Sequence, residues 1–485
     1  MTDLTSETFS PSSEIRTRNA SVIGILLVST FVVILNETIM AVALPKLMDA
    51  LQATAGEVQW LTTAFLLTMA VVIPVTGFLI QRMHTRPLFI WAMVLFSIGT
   101  LVAALSPNLS GLIVARVVQA VGTAIMFPLL MSTVMTLIEM ERRGKVMGDI
   151  MLAISVAPAI GPALSGVVLH YLDWRFLFWL VLPISLAALL FGWRKIVNVT
   201  TPRYVPVDVV SVPLSALAFG ALVYGAASYG LSSLGGPALI VGGVAMVLFV
   251  WRQLQLQKTD TAFLDLRTFQ SKNFTISVLM MAIAMASLMG VIVLLPIFMQ
   301  NVLGFDTLHI GLLFLPGGLI MGLMGPRVGK LYDRIGPRPL LVPGAICVTV
   351  VLWAMTQVSA TTWWVNIMLG HMLMSVGLAL VFTPLFTVSL SSVAPQLYAH
   401  GSAVLGTVQQ VAGAAGVALL VAVMSARSAV SLAAGVTANT ALTQGTTAAF
   451  FVAAVLSLLA IVAAIFIQRV PNPKMKQEEG RGQAA

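Results

Sequence analysis

Glu37 and Asp149 are the two acids that stand well inside long apolar runs, while nearly all the other acids among the 17 lie in loops, tails or the ends of such runs. A carboxyl withdrawn from water can take up and release a proton near neutral pH. Glu37 is the first choice for that chemistry and Asp149 the second. Glu37 can alternatively reach water or Lys46, and Asp149 can pair with Lys145 or Arg143 at a helix start. Arg116 also sits in an apolar run, Leu112-Ile113-Val114-Ala115-Arg116. A charge at the centre of a membrane helix costs at least about 2.5–3.5 kcal/mol, so Arg116 must face other helices, as a functional group or as an interhelical clamp. His371, midway through another apolar run, reads as a proton relay or as a hydrogen-bonded packing partner. Asn36, Gln119, Gln409 and Gln410 are uncharged polar points on similar runs, suited to a substrate cavity.

This inventory points away from bond-making chemistry. The P-loop pattern G-x-x-x-x-G-K-[ST] does not occur, so nucleotide-driven pumping is disfavoured. No His/Cys/Asp cluster has metal-ligand spacing, no paired carboxylates face each other within one run, and Cys347 is the single cysteine. An enzyme, a metal site and a cofactor are therefore not expected. Met1–Ala20 is polar and carries acids, unlike a cleavable signal peptide.

The elements that must position these groups are membrane helices. Hydrophobic residues make up 59% of 485 positions and charged residues 9%, against roughly 25% charged in a soluble domain. Runs of about 20 apolar residues cross the hydrocarbon. Fourteen such runs are predicted, near 20–45, 57–80, 87–106, 109–135, 145–170, 175–193, 207–229, 236–257, 273–299, 308–329, 339–359, 363–391, 402–426 and 446–468. With the N-terminus inside, 22 of the 26 basic residues fall in cytoplasmic segments. That asymmetry predicts an even number of spans with both termini cytoplasmic. It also assigns the net charge of +9 to topology rather than to nucleic acid.

The stretch Gly77–Arg86 (GFLIQRMHTR) returns 252 residues later as Gly329–Arg338 (GKLYDRIGPR). The copies fall between spans two and three and between spans ten and eleven, an offset of eight helices. Six repeated helices plus two inserted ones give that offset. The expected organisation is a tail over 1–19, a six-helix bundle over 20–195 and two inserted helices with linkers over 196–272. A second six-helix bundle over 273–468 and a tail over 469–485 complete it.

On these residues the chain resembles the major facilitator superfamily over nearly its whole length, and within it the 14-span drug:proton antiporters of the lincomycin-resistance type. The loop pattern Gly-x-Leu-x-Asp-Arg-x-Gly-Arg/Lys-Arg is matched by Gly329, Leu331, Asp333, Arg334, Gly336 and Arg338. The first copy keeps Gly77, Leu79, Arg82 and Arg86 but has Gln81 in place of the acid and His84 in place of the second glycine. The resemblance implies a latch between the cytoplasmic ends of the bundles, the acid sitting at a helix N-terminus or on an arginine, with the Gln81 copy the weaker. Simple orienting positive charge is the alternative reading.

Arg116, Gln119 and Gly122 are similar to the fourth-helix pattern, which implies a part for Arg116 in proton coupling. Ala157–Gly166, with Pro158, Gly161, Pro162 and Gly166, resembles the fifth-helix signature of exporters. Small residues there allow close helix contact. Leu35–Pro45 is similar to the first-helix segment of 14-span relatives, but Asn36 holds the acidic position and Glu37 stands beside it, about 100° around the helix.

The resemblance implies a secondary active transporter, multi-pass in the bacterial cell (inner) membrane. It would exchange protons for lipophilic drugs or toxic small molecules, driven by the proton gradient without a cofactor, as a monomer with no nucleic-acid partner. Export of a native lipid or small metabolite is the alternative. The 26 methionines and 23 phenylalanines suit an adaptable apolar pocket and equally a lipid-facing surface.

Overall fold

The computed structural model describes residues 13–199, 201–202, 208–228 and 233–470. Arg203, Lys474, Lys476 and Arg481, four of the basic residues used for orientation, lie outside them, as do residues 1–12 and 471–485 of the two tails. The described residues are helical and form no strand. Lipid offers no partner for backbone N–H and C=O groups, so a chain this apolar closes its hydrogen bonds within helices.

The helices are α1 (Ser13–Leu51), α2 (Ala55–Arg82), α3 (Thr85–Leu105), α4 (Leu109–Leu137), α5 (Arg143–Tyr171), α6 (Arg175–Lys195) and α7 (Ser211–Ser228). They continue as α8 (Gly235–Leu256), α9 (Lys272–Asn301), α10 (Thr307–Ile335), α11 (Arg338–Met355), α12 (Trp364–Ser391), α13 (Tyr398–Ala433) and α14 (Ala438–Phe466). Their starts are cut by polar caps. Thr54 and Glu57 form a reciprocal capping box at α2, and Asn108, Ser271 and Asp306 cap α4, α9 and α10. Large apolar side chains point outward along the helices, among them Val167, Phe191, Ile240, Val247 and Phe466. Facing lipid, they need no cover.

Thirteen of the helices are long and apolar enough to cross a membrane. The exception is the seventh predicted span. Among the described residues its apolar part runs from Ser211 to Ala226, and just before it Asp208 accepts the Ser211 N–H at 3.1 Å and pairs with the Arg252 guanidinium of α8 at 2.6 Å.

Two bundles repeat one packing scheme. In the first, α1 packs on α4, α5 and α6, α2 on α4, and α3 on α4 and α6. In the second, α9 packs on α12, α13 and α14, α10 on α12, and α11 on α12 and α14. The bundles meet along two seams, α5 against α10 and α2 against α13. The inserted pair α7 and α8 pack together, and α7 lies against both α2 and α13.

Candidate functional site

Arg116 is among the largest fully buried side chains, at 1% exposed. Its guanidinium lies over the Phe65 ring of α2, 4.0 Å from the centroid, donates to the Gln119 side-chain oxygen at 3.1 Å and reaches the Leu61 carbonyl at 3.4 Å. Gln119 in turn donates to the Thr100 hydroxyl of α3 at 2.9 Å. Close approach of α3 and α4 makes this chain of bonds possible. A Cβ on Gly99 would stand 2.7 Å from the Gln119 backbone nitrogen, and one on Gly122 would stand 2.4 Å from the Ala92 carbonyl. A cation buried this way needs the ring and the acceptors to replace water.

Glu37 is half-buried in α1, and its charge interacts with that of Arg116 without a direct ion pair. Among the described residues its carboxyl makes no hydrogen bond. Next to it Asn36 is buried, with its side-chain nitrogen unpartnered. Arg116 and Gln119 thus come together with Phe65, Leu61 and Thr100, which sequence reasoning did not single out, and Glu37 is tied to them only through the charge of Arg116.

Asp149 stands apart, half-buried near the start of α5, where the charges of Lys145 and of Lys330 on α10 act on it. His371 of α12 faces α10, its ring edge-on to Phe314 at 4.5 Å, its Nδ1 buried without a partner. Gly317 makes room for that ring, since a Cβ there would clash with it. The adjacent Gly318 makes room for Ala159 of α5. Gln409 and Gln410 are half-buried on α13 and make no side-chain hydrogen bond among the described residues.

Of the fifth-helix signature, Gly161 faces Thr38 of α1, whose hydroxyl also reaches the Ala157 carbonyl at 3.5 Å. Pro158 and Gly166 are exposed, and Pro162 continues the same helix. The signature therefore packs α5 on α1 through one glycine and on α10 through Ala159.

The second loop copy joins the bundles. The Asp333 carboxylate accepts the backbone N–H of Gly144 at 2.8 Å and of Lys145 at 2.9 Å, capping α5 from the other bundle. Four glycines bring the helices that close. A Cβ on Gly144, Gly148, Gly325 or Gly329 would stand 2.0–2.6 Å from an oxygen atom on the facing helix. Each pair has the G-x-x-x-G spacing of tight membrane helix contacts. Gly336 ends α10 at φ 81°, a left-handed conformation that favours glycine. At the matching place in the first copy, His84 has φ −64° and needs none. Arg334 and Arg338 are exposed, and their side chains form no bond among the described residues.

The first copy makes a different contact. Gln81 donates to the Gln396 carbonyl before α13 at 3.2 Å, and Gly77 packs against Ala399, His400 and Ala403 of α13. Arg82 lies over Phe78 at 5.8 Å. Arg86 works within its own bundle, donating to the Trp193 carbonyl at 2.7 Å.

Arg143, read in the sequence as a basic loop residue and a candidate partner of Asp149, is instead a further clamp. It donates to the Met135 and Ile138 carbonyls of its own bundle, and to the Ser391 hydroxyl and the Tyr398 phenol of the other. Among the described residues, the hydrogen bonds between the bundles gather at the end of the molecule that carries both loop copies. That end is closed.

Comparison with known proteins agrees with this architecture. The Major Facilitator Superfamily profile matches residues 26–417. The chain is 37% identical to the lincomycin resistance protein LmrB of Listeria monocytogenes, over 93% of this chain and 97% of that one. It is 27% identical to the putative multidrug resistance protein MdtD of Pectobacterium carotovorum, over 92% and 95%. Among solved structures it is similar to the human organic anion transporter MFSD10, with a TM-score of 0.66 at 16% identity, covering 94% of this chain and all of that one. It is also similar to the proton:xylose symporter XylE, with a TM-score of 0.65 at 14% identity, over 94% and 97%. Two repeated six-helix bundles with an inserted pair, together with these matches, make the chain a multi-pass membrane transporter belonging to the Major Facilitator Superfamily.

Proposed function

We propose that this transporter is a proton-coupled antiporter of the bacterial cell membrane, exporting lipophilic drugs or other toxic small molecules by alternating access. The observation that carries the reading is the placement of Glu37. It is a half-buried carboxyl with no hydrogen bond among the described residues, within the field of an Arg116 buried against Phe65. A carboxyl so placed can change protonation as its access to water alternates. The names of the relatives, lincomycin resistance and multidrug resistance, favour drug efflux over import.

In this reading the bundles over 20–195 and 273–468 rock about a central cavity, with both termini cytoplasmic and the closed end facing the cytoplasm. The conformation is then outward-facing, held by the Asp333 cap and the Arg143 clamp. Asn36, Gln119, His371, Gln409 and Gln410 supply polar points for the substrate. The protein works as a monomer, with the proton gradient as its only energy source.

Reconstitution in proteoliposomes with an imposed pH gradient tests this. Lipophilic drugs added to acid-inside vesicles are expected to elicit proton flux, and absence of that flux would refute antiport. One observation favours a second reading, export of a native lipid. An apolar cleft of about 240 Å3 lies between α9, α13 and α14, lined by residues including Ala282, Ala286, Ala412, Ala415 and Leu419. Transbilayer movement of labelled lipid without drug-elicited proton flux would establish that reading instead.

A further inference from the structure

The connection between α8 and α9 reads in the sequence as a plain polar loop, yet it is folded into the seam between the bundles. Phe263 is 1% exposed. Its ring stacks on Phe78 of α2 with centroids 5.9 Å apart and meets Phe249 of α8 edge-on at 6.4 Å. The Gln253 side chain accepts the backbone N–H groups of Phe263 and Leu264 at 2.9 and 3.0 Å and donates to the Ser211 hydroxyl of α7 at 2.8 Å. Helices α7 and α8 and the connection therefore form one polar-braced unit.

That unit touches both bundles. Beyond Phe78, the turn Leu266–Gln270 packs on α13, and the Ser271 hydroxyl donates to that of Ser392 at 3.0 Å, just past the end of α12. Asp265, 4% exposed, is held by Arg267 through the backbone N–H at 2.9 Å and the guanidinium at 2.6 Å, and by Gln257 at 3.0 Å. Burial alone would raise its carboxyl. The Arg267 hydrogen bonds and the charges of His400 and Arg267 outweigh that and keep it ionised.

At the same seam the latch is one charge short. Across α5 and α10, Asp333 supplies a carboxylate to Gly144 and Lys145. Across α2 and α13 the matching residue is Gln81, which reaches only a carbonyl, while Ala399 and His400 take the places of Gly144 and Lys145.

We infer that the inserted helix pair and its following connection form a bracket that holds the α2–α13 seam closed, with Phe263 seated on Phe78 of α2 and the turn that Asp265 braces packed on α13, where the first loop copy lacks a carboxylate latch. The inference rests on the rocking-bundle reading above, because a bracket matters only if the seam must part. Asp265 acts as a positioning residue and touches no substrate.

Spin labels on Met83→Cys and Gln396→Cys in the full-length protein, reconstituted in lipid, report the width of this seam. Asp265→Asn and Phe263→Ala are each expected to raise the long-distance population at least about threefold over the parent pair. Phe263→Tyr, which keeps a ring on Phe78, is expected to keep the parent distribution, which a general effect of altering the connection would not do. Unchanged distributions in both single variants, or opening by Phe263→Tyr equal to that by Phe263→Ala, would overturn the bracket. A parent protein showing one distribution under every pH and ligand condition would instead overturn the rocking reading.

Discussion

The Asp333 carboxylate caps the first turn of α5 from the opposite bundle, 2.8 Å from the Gly144 nitrogen. A helix N-terminus carries partial positive charge and unsatisfied N–H groups, so an aspartate there both bonds and neutralises. Here the capped helix and the capping residue belong to halves that separate in the proposed rocking cycle. The cap therefore adds its stability to the closed state alone. Replacing such a cap by alanine costs about 0.5–2 kcal/mol, so Asp333→Ala is expected to shift the seam roughly 2- to 30-fold toward opening. Cysteine cross-linking between α5 and α10 measures this, and an unchanged cross-linking yield would show that the cap contributes nothing to closure.

The glycines beside this cap set how closely the halves approach. A Cβ on Gly329 would stand 2.0 Å from the Gly144 carbonyl oxygen, and that oxygen is backbone and cannot rotate away. Gly329→Ala is expected to force α5 and α10 apart, costing the closed state about 1–3 kcal/mol. Gly166→Ala, where a Cβ meets nothing within 4 Å, is the matched control. Thermal unfolding in detergent and cross-linking across the seam should separate the two variants, and equal behaviour would refute a contact-limited seam.

The membrane class, the repeat, the burial of Arg116 and the place of Asp333 at a helix start were legible in the sequence, because each leaves a local mark: apolar length, a recurring loop, a charge in an apolar run. The partners of those residues were not, because they are set by approach between helices distant in the chain. Phe65 and Leu61 receive Arg116 only once α2 and α4 pack. The G-x-x-x-G pairs at Gly144 and Gly325 were present as a signal but went unread. The clamp made by Arg143 and the burial of Asp265 were not legible, since loop position gives no sign of packing against another bundle. The short α7 shows the opposite limit. Asp208 sits at the edge of an apolar run, and its partners, Ser211 at the start of α7 and Arg252 on α8, show only once the helices pack.

Glu37 and Arg116 are expected to separate in their variants. Glu37→Gln removes the exchangeable proton at constant size, so transport driven by a pH gradient should fall to background while ligand binding, followed by tryptophan quenching, persists. Full retention of gradient-driven transport would exclude Glu37 as the carrier. Arg116→Ala strips the donor from Gln119 and the cation from Phe65 and is expected to lower transport at least about tenfold, as loss of roughly 1.4 kcal/mol or more would do. Arg116→Lys keeps a charge but not the planar group lying over the ring, so an intermediate rate is expected. If Arg116→Ala transports normally, the residue is a packing clamp and nothing more.

The Asp208–Arg252 pair gives the inserted helices a pH-dependent stability of defined sign. Hydrogen bonds from Arg252, opposed by partial burial and aided by Ser211, hold the Asp208 carboxyl at about 2, below the ordinary value of about 3.9. A carboxyl depressed on folding contributes stability that is fully present above the unfolded value and is lost as pH falls through the folded one. Asp208→Asn should therefore lower the melting temperature at pH 6, and the gap to the parent should shrink between about pH 4 and pH 2. Loss of this pair frees α7 from α8 and loosens the Ser211–Gln253 bond next to it. Melting curves of both proteins across that range in one detergent read this directly, and a gap that does not narrow on acidification would show that the carboxylate is not what holds the pair of helices together.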